Sequence, residues 1–255
     1  MNIGQWLKKQ RRRWVRKLGK KMLRGLFGFL GRQSLVGNSV VFDATQFPWT
    51  AELEAHWQDI RAEVEPLLAV RDRLPNFQDI SPDQYKISTD DKWKTYIFYG
   101  FGYRSERNCA RCPKTAQLLA KIPNLQTAFF SILAPGMHIK AHRGVTKGLL
   151  RCHLGLIVPE PKDKCVMQVG DHLCQWEEGK SLVFDDTAQH EVWNETEGER
   201  VVLLLDFHRP LRFPGTLVSR ALLSGVRMSA YVRDARRNEI AWEDRFEREF
   251  VNKIG

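Results

Sequence analysis

Residues 180–209, "KSLVFDDTAQHEVWNETEGERVVLLLDFHR", decide the fold. They contain three short runs of apolar and β-branched residues, and turn-forming residues such as Glu197-Gly198-Glu199 separate the runs. Runs of the same kind begin near residue 126 and recur about every eight to twelve residues, with Pro-Gly, Gly-Asp and Glu-Gly between them. This spacing predicts a mainly β protein built as a β-sandwich or jelly roll.

The segments on both sides of these runs are predicted to be mainly helical. Residues 48–70, "PWTAELEAHWQDIRAEVEPLLAV", are typical of helix, whereas residues 93–103, "WKTYIFYGFGY", predict a pair of strands. After Pro210 the chain is expected to form helices that pack outside the sheet. We therefore predict one folded domain over residues 33–255, with a jelly-roll core at about residues 93–210, flanking helices and a helical C-terminal segment.

The net charge of +10 is concentrated at the N-terminus. Residues 1–32 carry 11 Lys and Arg and no Asp or Glu, so the rest of the chain holds 29 basic and 30 acidic residues. The folded part is therefore nearly neutral, which argues against nucleic acid as its partner. No apolar run reaches the roughly 18 to 20 residues that a membrane-spanning helix needs.

The apolar residues of the basic segment recur at steps of three, four and seven, which places them on one stripe of a helix with cations around it. They are Ile3, Leu7, Trp14, Leu18, Met22, Leu26 and Phe29. A basic amphipathic helix that contains Trp and Phe predicts binding of residues 1–32 to an anionic membrane surface. An RNA-binding arm and a helix that docks on a partner protein are open alternatives. A secretory signal is disfavoured, because charges interrupt the apolar residues.

The five cysteines form no disulfide framework, since their number is odd and their spacing is irregular. Cys109 and Cys112 form an isolated C-x-x-C, which lacks the second ligand pair of a structural zinc site. We therefore expect reduced thiols, as in a cytosolic protein.

Charged side chains follow the predicted strands at defined positions. In "LLRCHLGLIV", residues 149–158, the two-residue period of a strand places Arg151 and His153 on one face. An Arg and a His on an inward face are costly to bury unless an anion meets them. Arg200 opens another predicted strand, ten residues after His190. The pattern predicts one cavity lined by histidines and arginines.

Residues 142–153, "HRGVTKGLLRCH", have part of the pattern of a metal site. Such a motif would place a carboxylate two residues after His142, and the chain has Gly144 there. The sequence therefore predicts a metal site that lacks one protein ligand.

Two stretches, "PGMHIKAHRGVTKGLLRCHLGLIVP" (residues 135–159) and "WEEGKSLVFDDTAQHEVWNETEGERVVLLLDFHRP" (residues 176–210), resemble the aspartyl/asparaginyl β-hydroxylases. The resemblance covers about residues 93–210. It implies a double-stranded β-helix, which is a cupin-like jelly roll. It also implies an Fe(II)- and 2-oxoglutarate-dependent dioxygenase that acts as a hydroxylase.

The resemblance implies that His142 and His190 are the iron ligands and that Gly144 marks the missing carboxylate. Two histidines occupy two of six iron positions, 2-oxoglutarate occupies two more, and water and O2 take the rest. Asp186 is implied to hydrogen-bond metal-bound water, as the third member of the catalytic set. Asp185 is expected to point the other way.

The same resemblance implies which residues bind 2-oxoglutarate, a dianion that needs cations and hydrogen-bond donors. They are Ser131, Arg151, His153 and Arg200, with Trp93 as a further contact. His138, four residues before the first iron ligand, is predicted to line the same pocket. Ascorbate is expected to stimulate turnover.

Leu149 bears on the substrate. Family members that hydroxylate Asp or Asn carry an arginine at this place, so an apolar residue favours an acyl chain. The lipid A 2-hydroxylases of the family share the pair Arg209-Pro210, and we predict a lipid A or related acyl substrate at the inner face of the cytoplasmic membrane. Two alternatives are an aspartyl or asparaginyl hydroxylase that clamps a peptide with Arg104 or Arg107, and a non-enzymatic jelly-roll binding protein.

Overall fold

The computed structural model describes residues 22–23, 25–81, 88–100 and 102–251. Within these ranges the strands form two antiparallel sheets. The strands are β1 (Val41–Phe42), β2 (Trp93–Gly100), β3 (Tyr103–Arg104), β4 (Leu125–Leu133), β5 (Met137–His142), β6 (Leu149–Ile157), β7 (Cys165–Val169), β8 (His172–Gln175), β9 (Ser181–Phe184), β10 (His190–Asn194) and β11 (Arg200–His208).

Helices precede β2, separate β3 from β4, and follow β11. They are α1 (Trp49–Ala55), α2 (Trp57–Leu68), α3 (Phe77–Ile80), α4 (Glu106–Arg111), α5 (Pro113–Leu119), α6 (Gly215–Arg227) and α7 (Ala230–Val251). Residues 25–32 are also helical, and short 3-10 helices lie at Ala44–Gln46, Arg71–Arg73 and Lys162–Lys164.

Local sequence signals set where the two helices between β3 and β4 begin. The Ser105 side chain accepts the backbone N–H of Asn108 at 3.0 Å, which caps the start of α4. α5 begins at Pro113. Proline has no backbone N–H, and the first residues of a helix have no intrahelical acceptor for that group, so proline is well tolerated there.

The chain alternates between the two sheets. The large sheet has the strand order β1-β9-β6-β11-β4-β2-β3, and the small sheet has the order β5-β10-β7-β8. From β4 onward the chain passes to the small sheet and back three times, which is the strand arrangement of a jelly roll. The prediction of a mainly β jelly roll with flanking helices is confirmed.

Alternate side chains of the large sheet enter two separate cores. In β11, Val201 and Leu203 pack against the helices, whereas Val202 and Leu204 pack between the sheets. β11 lies in the middle of the sheet with both faces covered, which explains its unbroken apolar run. The space between the sheets is where the candidate site lies.

The C-terminal helices pack outside the sheet, as predicted. Trp242 of α7 is buried in the helix-side core, and its Nε1 donates to the Arg73 carbonyl at 2.9 Å. The sheet itself starts earlier than the predicted residues 93–210, because β1 pairs with β9 through Val41 and Phe184. A strand of two residues is too short for its periodicity to be recognised.

The described part of the N-terminal segment, residues 22–23 and 25–32, is helical, in line with expectation. Leu30 is fully buried, and Ser34 bridges to Leu211, so the end of this helix packs on the domain. Residues 1–21 lie outside the described residues, and the membrane-binding helix there stays a prediction. Within the described ranges no helix has both the length and the hydropathy to cross a membrane.

All five cysteines are buried and free. Cys109 and Cys112 belong to the helix-side core, and burial raises the pKa of both thiols, to about 12 for Cys112. A buried, protonated thiol packs as a small apolar group and is a poor metal ligand. The reduced state of these thiols in the cell stays a prediction.

Candidate active site

The two candidate iron ligands lie side by side in the small sheet. His142 is the last residue of β5, His190 is the first of β10, and the two are paired in register with ring centroids 4.1 Å apart. Each ring donates from Nδ1 to the backbone carbonyl two residues earlier, at 2.8 Å to Lys140 and 3.0 Å to Ala188. These hydrogen bonds fix the tautomer, so both Nε2 lone pairs are free to bind a metal.

Both imidazoles are neutral at physiological pH. Burial, followed by the neighbouring histidine, lowers the pKa of His142 to about 4. Burial and then Arg151 lower the pKa of His190 to about 4. Because only the neutral ring binds a metal, the site is ready for a divalent cation without first losing protons.

The arrangement fits an iron site with two histidines. His190 Nε2 is buried and has no hydrogen-bond partner among the described residues, although Asp186 Oδ1 lies 3.3 Å away. In the described part of the chain no three His, Cys, Asp or Glu side chains group in a metal-binding cluster. The donors present are therefore the two imidazoles, with the Asp186 carboxylate beside one of them.

Asp186 fills the space next to Gly144. A Cβ atom built at residue 144 would lie 1.8 Å from Asp186 Oδ2 and 2.4 Å from its Cγ. The backbones also meet, since the Gly144 N–H donates to the Asp186 carbonyl at 2.7 Å. The position that lacks a carboxylate in the sequence is thus occupied by a carboxylate from the segment before β10. Only glycine allows this contact.

A buried ion-pair network holds that carboxylate. Arg151 Nη1 lies 2.8 Å from Asp186 Oδ1, and the same guanidinium donates from Nε and Nη2 to the two oxygens of Asp206, at 2.8 and 3.1 Å. Asp206 lies opposite Arg151 in the register of β6 and β11. Arg151 is at the site, as expected, but its fork already contacts two carboxylates, so its role toward 2-oxoglutarate stays a prediction.

Asp206 was not among the predicted site residues. It sits within the apolar run of β11, where a carboxylate is costly unless a cation meets it. Burial raises the pKa of Asp206 and Arg151 opposes the rise. An aspartate two residues from the end of an otherwise apolar strand was the signal that could have identified it.

Arg200 is a buried cation with no carboxylate partner in the part of the chain that the structure describes. It is 1% exposed, its guanidinium lies over the Trp176 ring at 4.7 Å, and Nη1 donates to the Ser131 carbonyl at 3.4 Å. Its Nε has no partner among the described residues. Burial lowers the pKa of Arg200 to about 10, which leaves the group charged at neutral pH. A buried charge without compensation is costly, so we expect an anion to bind next to Arg200.

The other predicted cosubstrate contacts surround Arg200. Trp93 Nε1 donates to Ser131 Oγ at 3.0 Å; Ser131 lies on β4, beside the strand of Arg200, and Trp93 lies on β2, one strand further. Trp176 Nε1 donates to His153 Nδ1 at 3.2 Å, which places the His153 proton on Nε2. That Nε2 is buried and lacks a partner among the described residues. The structure therefore brings together a buried cation and an unused buried donor.

Phe184 packs against both His153 and His190. Its ring is edge-on to His153 at 5.1 Å and to His190 at 5.6 Å. Burial lowers the pKa of His153 well below its ordinary value, so its ring is a neutral donor. An anion against Arg200 and His153 would lie in the same inter-sheet space as the metal ligands.

A cavity of about 230 Å³ opens beside the histidine pair, and its walls are mainly apolar. It starts at His142, Gly144 and Asp186 and includes Leu149, which is 5% exposed. Its other apolar walls are formed by Phe77, Ile80, Trp93, Ile97, Tyr99, Tyr103, Phe129, Leu204, Val226, Val232 and Ala235, and its charged lining includes Arg143, Arg151, Asp206, Arg236 and Glu239. The mainly apolar lining suits an apolar group.

The proposed peptide clamps lie elsewhere. Arg104 pairs with Glu106 and donates to the Tyr99 hydroxyl, and Arg107 pairs with Asp244 at 2.6 Å. Neither arginine lines the cavity. The contacts of Arg104 and Arg107 therefore give no support to a peptide substrate held by these two residues.

Asp185 points away from the histidine pair, as expected. Its Oδ2 accepts from Lys147 Nζ and from Arg209 Nη2, the latter at 2.6 Å, and its Oδ1 accepts from Thr187. Burial would raise the pKa of Asp185, but Arg209 and Lys147 outweigh it and hold the pKa below its ordinary value. Arg209 of the shared Arg-Pro pair is therefore a buried structural cation.

The prediction for His138 was wrong. Its ring stacks on Trp193 at 5.3 Å and its Nε2 contacts Glu191 at 2.6 Å, on the outer side of the small sheet. The pairing of β5 with β10 shifts between His190 and Val192, where β5 has one extra residue. This bulge reverses which face the side chains point to, so His138 and His142 do not share a face.

Comparison with known proteins points to one family. A family model described as "Aspartyl/Asparaginyl beta-hydroxylase" matches residues 54–210. An "Ornithine lipid ester-linked acyl 2-hydroxylase" from Rhizobium tropici is 48% identical over 211 residues, covering 83% of this chain and 75% of that protein. The human "Aspartyl/asparaginyl beta-hydroxylase" is 34% identical over 163 residues, which are 62% of this chain but 21% of the human protein.

Solved structures share the fold only distantly. An oxidoreductase of the "2OG-Fe(II) oxygenase family" from Burkholderia pseudomallei has a TM-score of 0.37 and 11% identity, covering 47% of this chain and 66% of that one. The strand order described above therefore carries the fold assignment.

Proposed function

The chain belongs to the aspartyl/asparaginyl β-hydroxylase family and is a hydroxylating oxygenase, and we propose that it uses Fe(II) and 2-oxoglutarate to 2-hydroxylate an ester-linked acyl chain of a membrane lipid. The family assignment supplies the reaction class. The buried charges of the inter-sheet space support the cosubstrate, and the apolar cavity supports the acyl chain.

One observation carries the proposal: Arg200 is a fully buried cation without a carboxylate partner among the described residues. Its fork, the His153 Nε2–H and the Ser131 hydroxyl are positioned to receive a carboxylate. A dicarboxylate such as 2-oxoglutarate would compensate the charge of Arg200 with one end and extend toward the histidine pair with the other.

His142 and His190 would hold the iron through their free Nε2 atoms. Fe(II), when bound with 2-oxoglutarate and O2, supplies the oxidation that inserts one oxygen into a C–H bond and yields succinate and CO2. The protein's own contribution is to keep both imidazoles neutral and correctly oriented. Arg151, itself held by Asp206, keeps the Asp186 carboxylate beside the metal position, where it would orient metal-bound water.

The cavity supports a lipid rather than a peptide. Leu149, Ile97 and Phe129 line it next to His142, and burial of an acyl chain against such side chains is favourable by about 0.8 kcal/mol per CH2 group. The 48% identical relative is named for the ester-linked acyl chain of an ornithine lipid, which makes that lipid the first substrate to test. Lipid A is the second, because it was predicted from the Arg209-Pro210 pair.

The location follows from the substrate. A lipid acyl chain must be reached at a membrane, and residues 1–32 carry the positive charge and aromatic residues that bind anionic lipid. We propose that the enzyme lies peripherally on the inner face of the cytoplasmic membrane, with its N-terminal helix on the lipid.

The test is direct hydroxylation of lipid. Purified full-length protein is incubated with Fe(II), 2-oxoglutarate, ascorbate and vesicles that contain either ornithine lipid or lipid A. A mass gain of one oxygen on an ester-linked chain, located at C2 by fragmentation and matched by succinate, is the expected result. Hydroxylation of an Asp or Asn peptide with no change in either lipid would refute the lipid assignment.

A further inference from the structure

A buried carboxyl group with one unpartnered oxygen among the described residues lines the cavity. Glu239 of α7 is 1% exposed, and its Oε1 accepts from Asn108 Nδ2 at 3.2 Å. Its Oε2 is buried and has no hydrogen-bond partner among the described residues. The cavity that Glu239 lines is the same one that begins at His142 and Asp186.

Glu239 forms no ion pair with a Lys or Arg among the described residues, although Arg236, three residues earlier on α7, also lines the cavity. Glu243, one turn further along α7, accepts from the Ser105 hydroxyl and, at 3.4 Å, from the Tyr103 hydroxyl. The guanidinium of Arg236 lies over the Tyr103 ring at 5.1 Å. The arginines of α4 are paired further along α7, Arg107 with Asp244 and Arg111 with Glu247.

The hydrogen-bond donors to Glu239 and Glu243 among the described residues are therefore all neutral: Asn108, Ser105 and Tyr103. Burial, and then Glu243, raise the pKa of Glu239 well above its ordinary value. Such a carboxyl group is protonated when no cation is next to it. It ionises when a cation binds and releases its proton to solvent. A mainly apolar cavity with one such carboxyl group in its lining suits a ligand that is mainly apolar and carries a positive charge.

We propose that Glu239 binds the ammonium group of an amino-acid head group and thereby selects lipids that carry a free amine. This inference rests on the proposed function, because it places the acyl chain of the same lipid beside His142. An ammonium group suits the site better than a guanidinium. Glu239 Oε1 is already bonded to Asn108, so one oxygen is free, whereas a guanidinium fork needs both.

The experiment compares two lipids that differ only in the head-group amine, which is free in one and N-acetylated in the other. Full-length wild-type enzyme should hydroxylate the free-amine lipid with a kcat/KM about 10- to 100-fold higher, as expected for one charge-assisted hydrogen bond to a buried carboxylate. Glu239→Gln should bring this ratio close to one, mainly by raising KM for the free-amine lipid.

Glu247→Gln is the matched control. It removes a carboxylate from the same helix, two turns after Glu239, at a residue that pairs with Arg111 and does not line the cavity. This variant should keep the wild-type ratio. A ratio that falls equally in both variants would indicate a general effect of charge on α7 and would overturn the assignment of Glu239.

The outcomes separate this inference from the proposed function. If wild-type enzyme hydroxylates both lipids equally, the ammonium subsite is wrong while the lipid hydroxylase stands. If it hydroxylates neither lipid, the proposed function fails and this inference fails with it. Should Glu239→Gln not fold, as judged by thermal unfolding, the wild-type ratio for the two lipids still decides: a ratio near one rejects the subsite.

Discussion

Gly144 and Asp186 are sterically coupled: a Cβ atom on the first would lie 1.8 Å from Oδ2 of the second. Because Gly144 has no side chain, the Asp186 carboxylate can occupy the space beside it. The two residues form one steric unit beside the histidine pair.

Gly144→Ala should destabilise the protein by about 1–3 kcal/mol, because the new methyl group displaces the Asp186 carboxylate from its ion pair with Arg151. In an Asp186→Ala background the same change should cost much less, since the clash is gone. Urea unfolding of the two single variants and the double variant measures this coupling. Additive effects would show that the two side chains do not compete for one space.

His142→Ala and His190→Ala should each abolish iron binding and the formation of succinate from 2-oxoglutarate. His138→Ala is the control, because His138 lies on the outer face of the same strand as His142. Iron content and succinate yield are measured on all three variants. Normal turnover in either of the first two would reject the metal assignment.

Arg200→Met should weaken 2-oxoglutarate binding by about 2–5 kcal/mol and leave iron affinity nearly unchanged. The same variant should be as stable as the wild type without ligand, or more stable, because it removes an uncompensated buried charge. Thermal unfolding with and without 2-oxoglutarate separates the two effects, since the ligand should raise the Tm of the wild type only. A large loss of stability in the ligand-free variant would make Arg200 a structural residue.

Stability of the metal-free protein should fall as the pH drops from about 6.5 to about 4. The pKa of His142 and of His190 is about 4 in the folded protein, below the ordinary value of 6.5, so the unfolded chain binds more protons in this range. The stability is present above pH 6.5 and is lost as the pH falls toward 4. His142→Gln should have a shallower slope in urea unfolding across this range. An unchanged slope would contradict the low pKa.

Deleting residues 1–21 should abolish co-sedimentation with anionic vesicles and leave iron and 2-oxoglutarate binding intact. The deletion stops before Leu30, which is buried in the domain and would be costly to remove. Vesicle binding of the full chain should weaken with salt, because each Lys or Arg contributes about 1 kcal/mol of screened attraction. Equal binding of both proteins would reject the membrane anchor.

The sequence predicted those features that depend on local pattern. The two-residue period of β6 correctly placed Arg151 and His153 on the inner face, because the strand is regular from Leu149 to Gly155 and its register shift against β11 comes only after Gly155. The same reasoning failed at His138, since a bulge between β5 and β10 adds a residue that no local pattern reveals. Periodicity is reliable only where the register is unbroken.

Other features depend on contacts between distant segments. Asp206 is recognisable as functional only once β11 is paired with β6 and its carboxylate meets Arg151. Glu239 lies on an amphipathic helix, and from the sequence alone a glutamate there is expected to be an exposed charge. The packing of α7 against β2 is what turns this residue inward. Such long-range contacts are set by the whole fold rather than by neighbouring residues.

The family model ends at residue 210, yet α7, which begins at Ala230, supplies Val232, Ala235 and Glu239 to the cavity wall. The proposed metal and cosubstrate residues thus lie on one stretch of chain and part of the cavity wall lies on another. Mutation can therefore alter the second stretch without disturbing the first, and a lineage could acquire a new lipid substrate while its oxidation chemistry is inherited intact. Transplanting this helix between relatives would be the corresponding route to an enzyme with altered lipid preference.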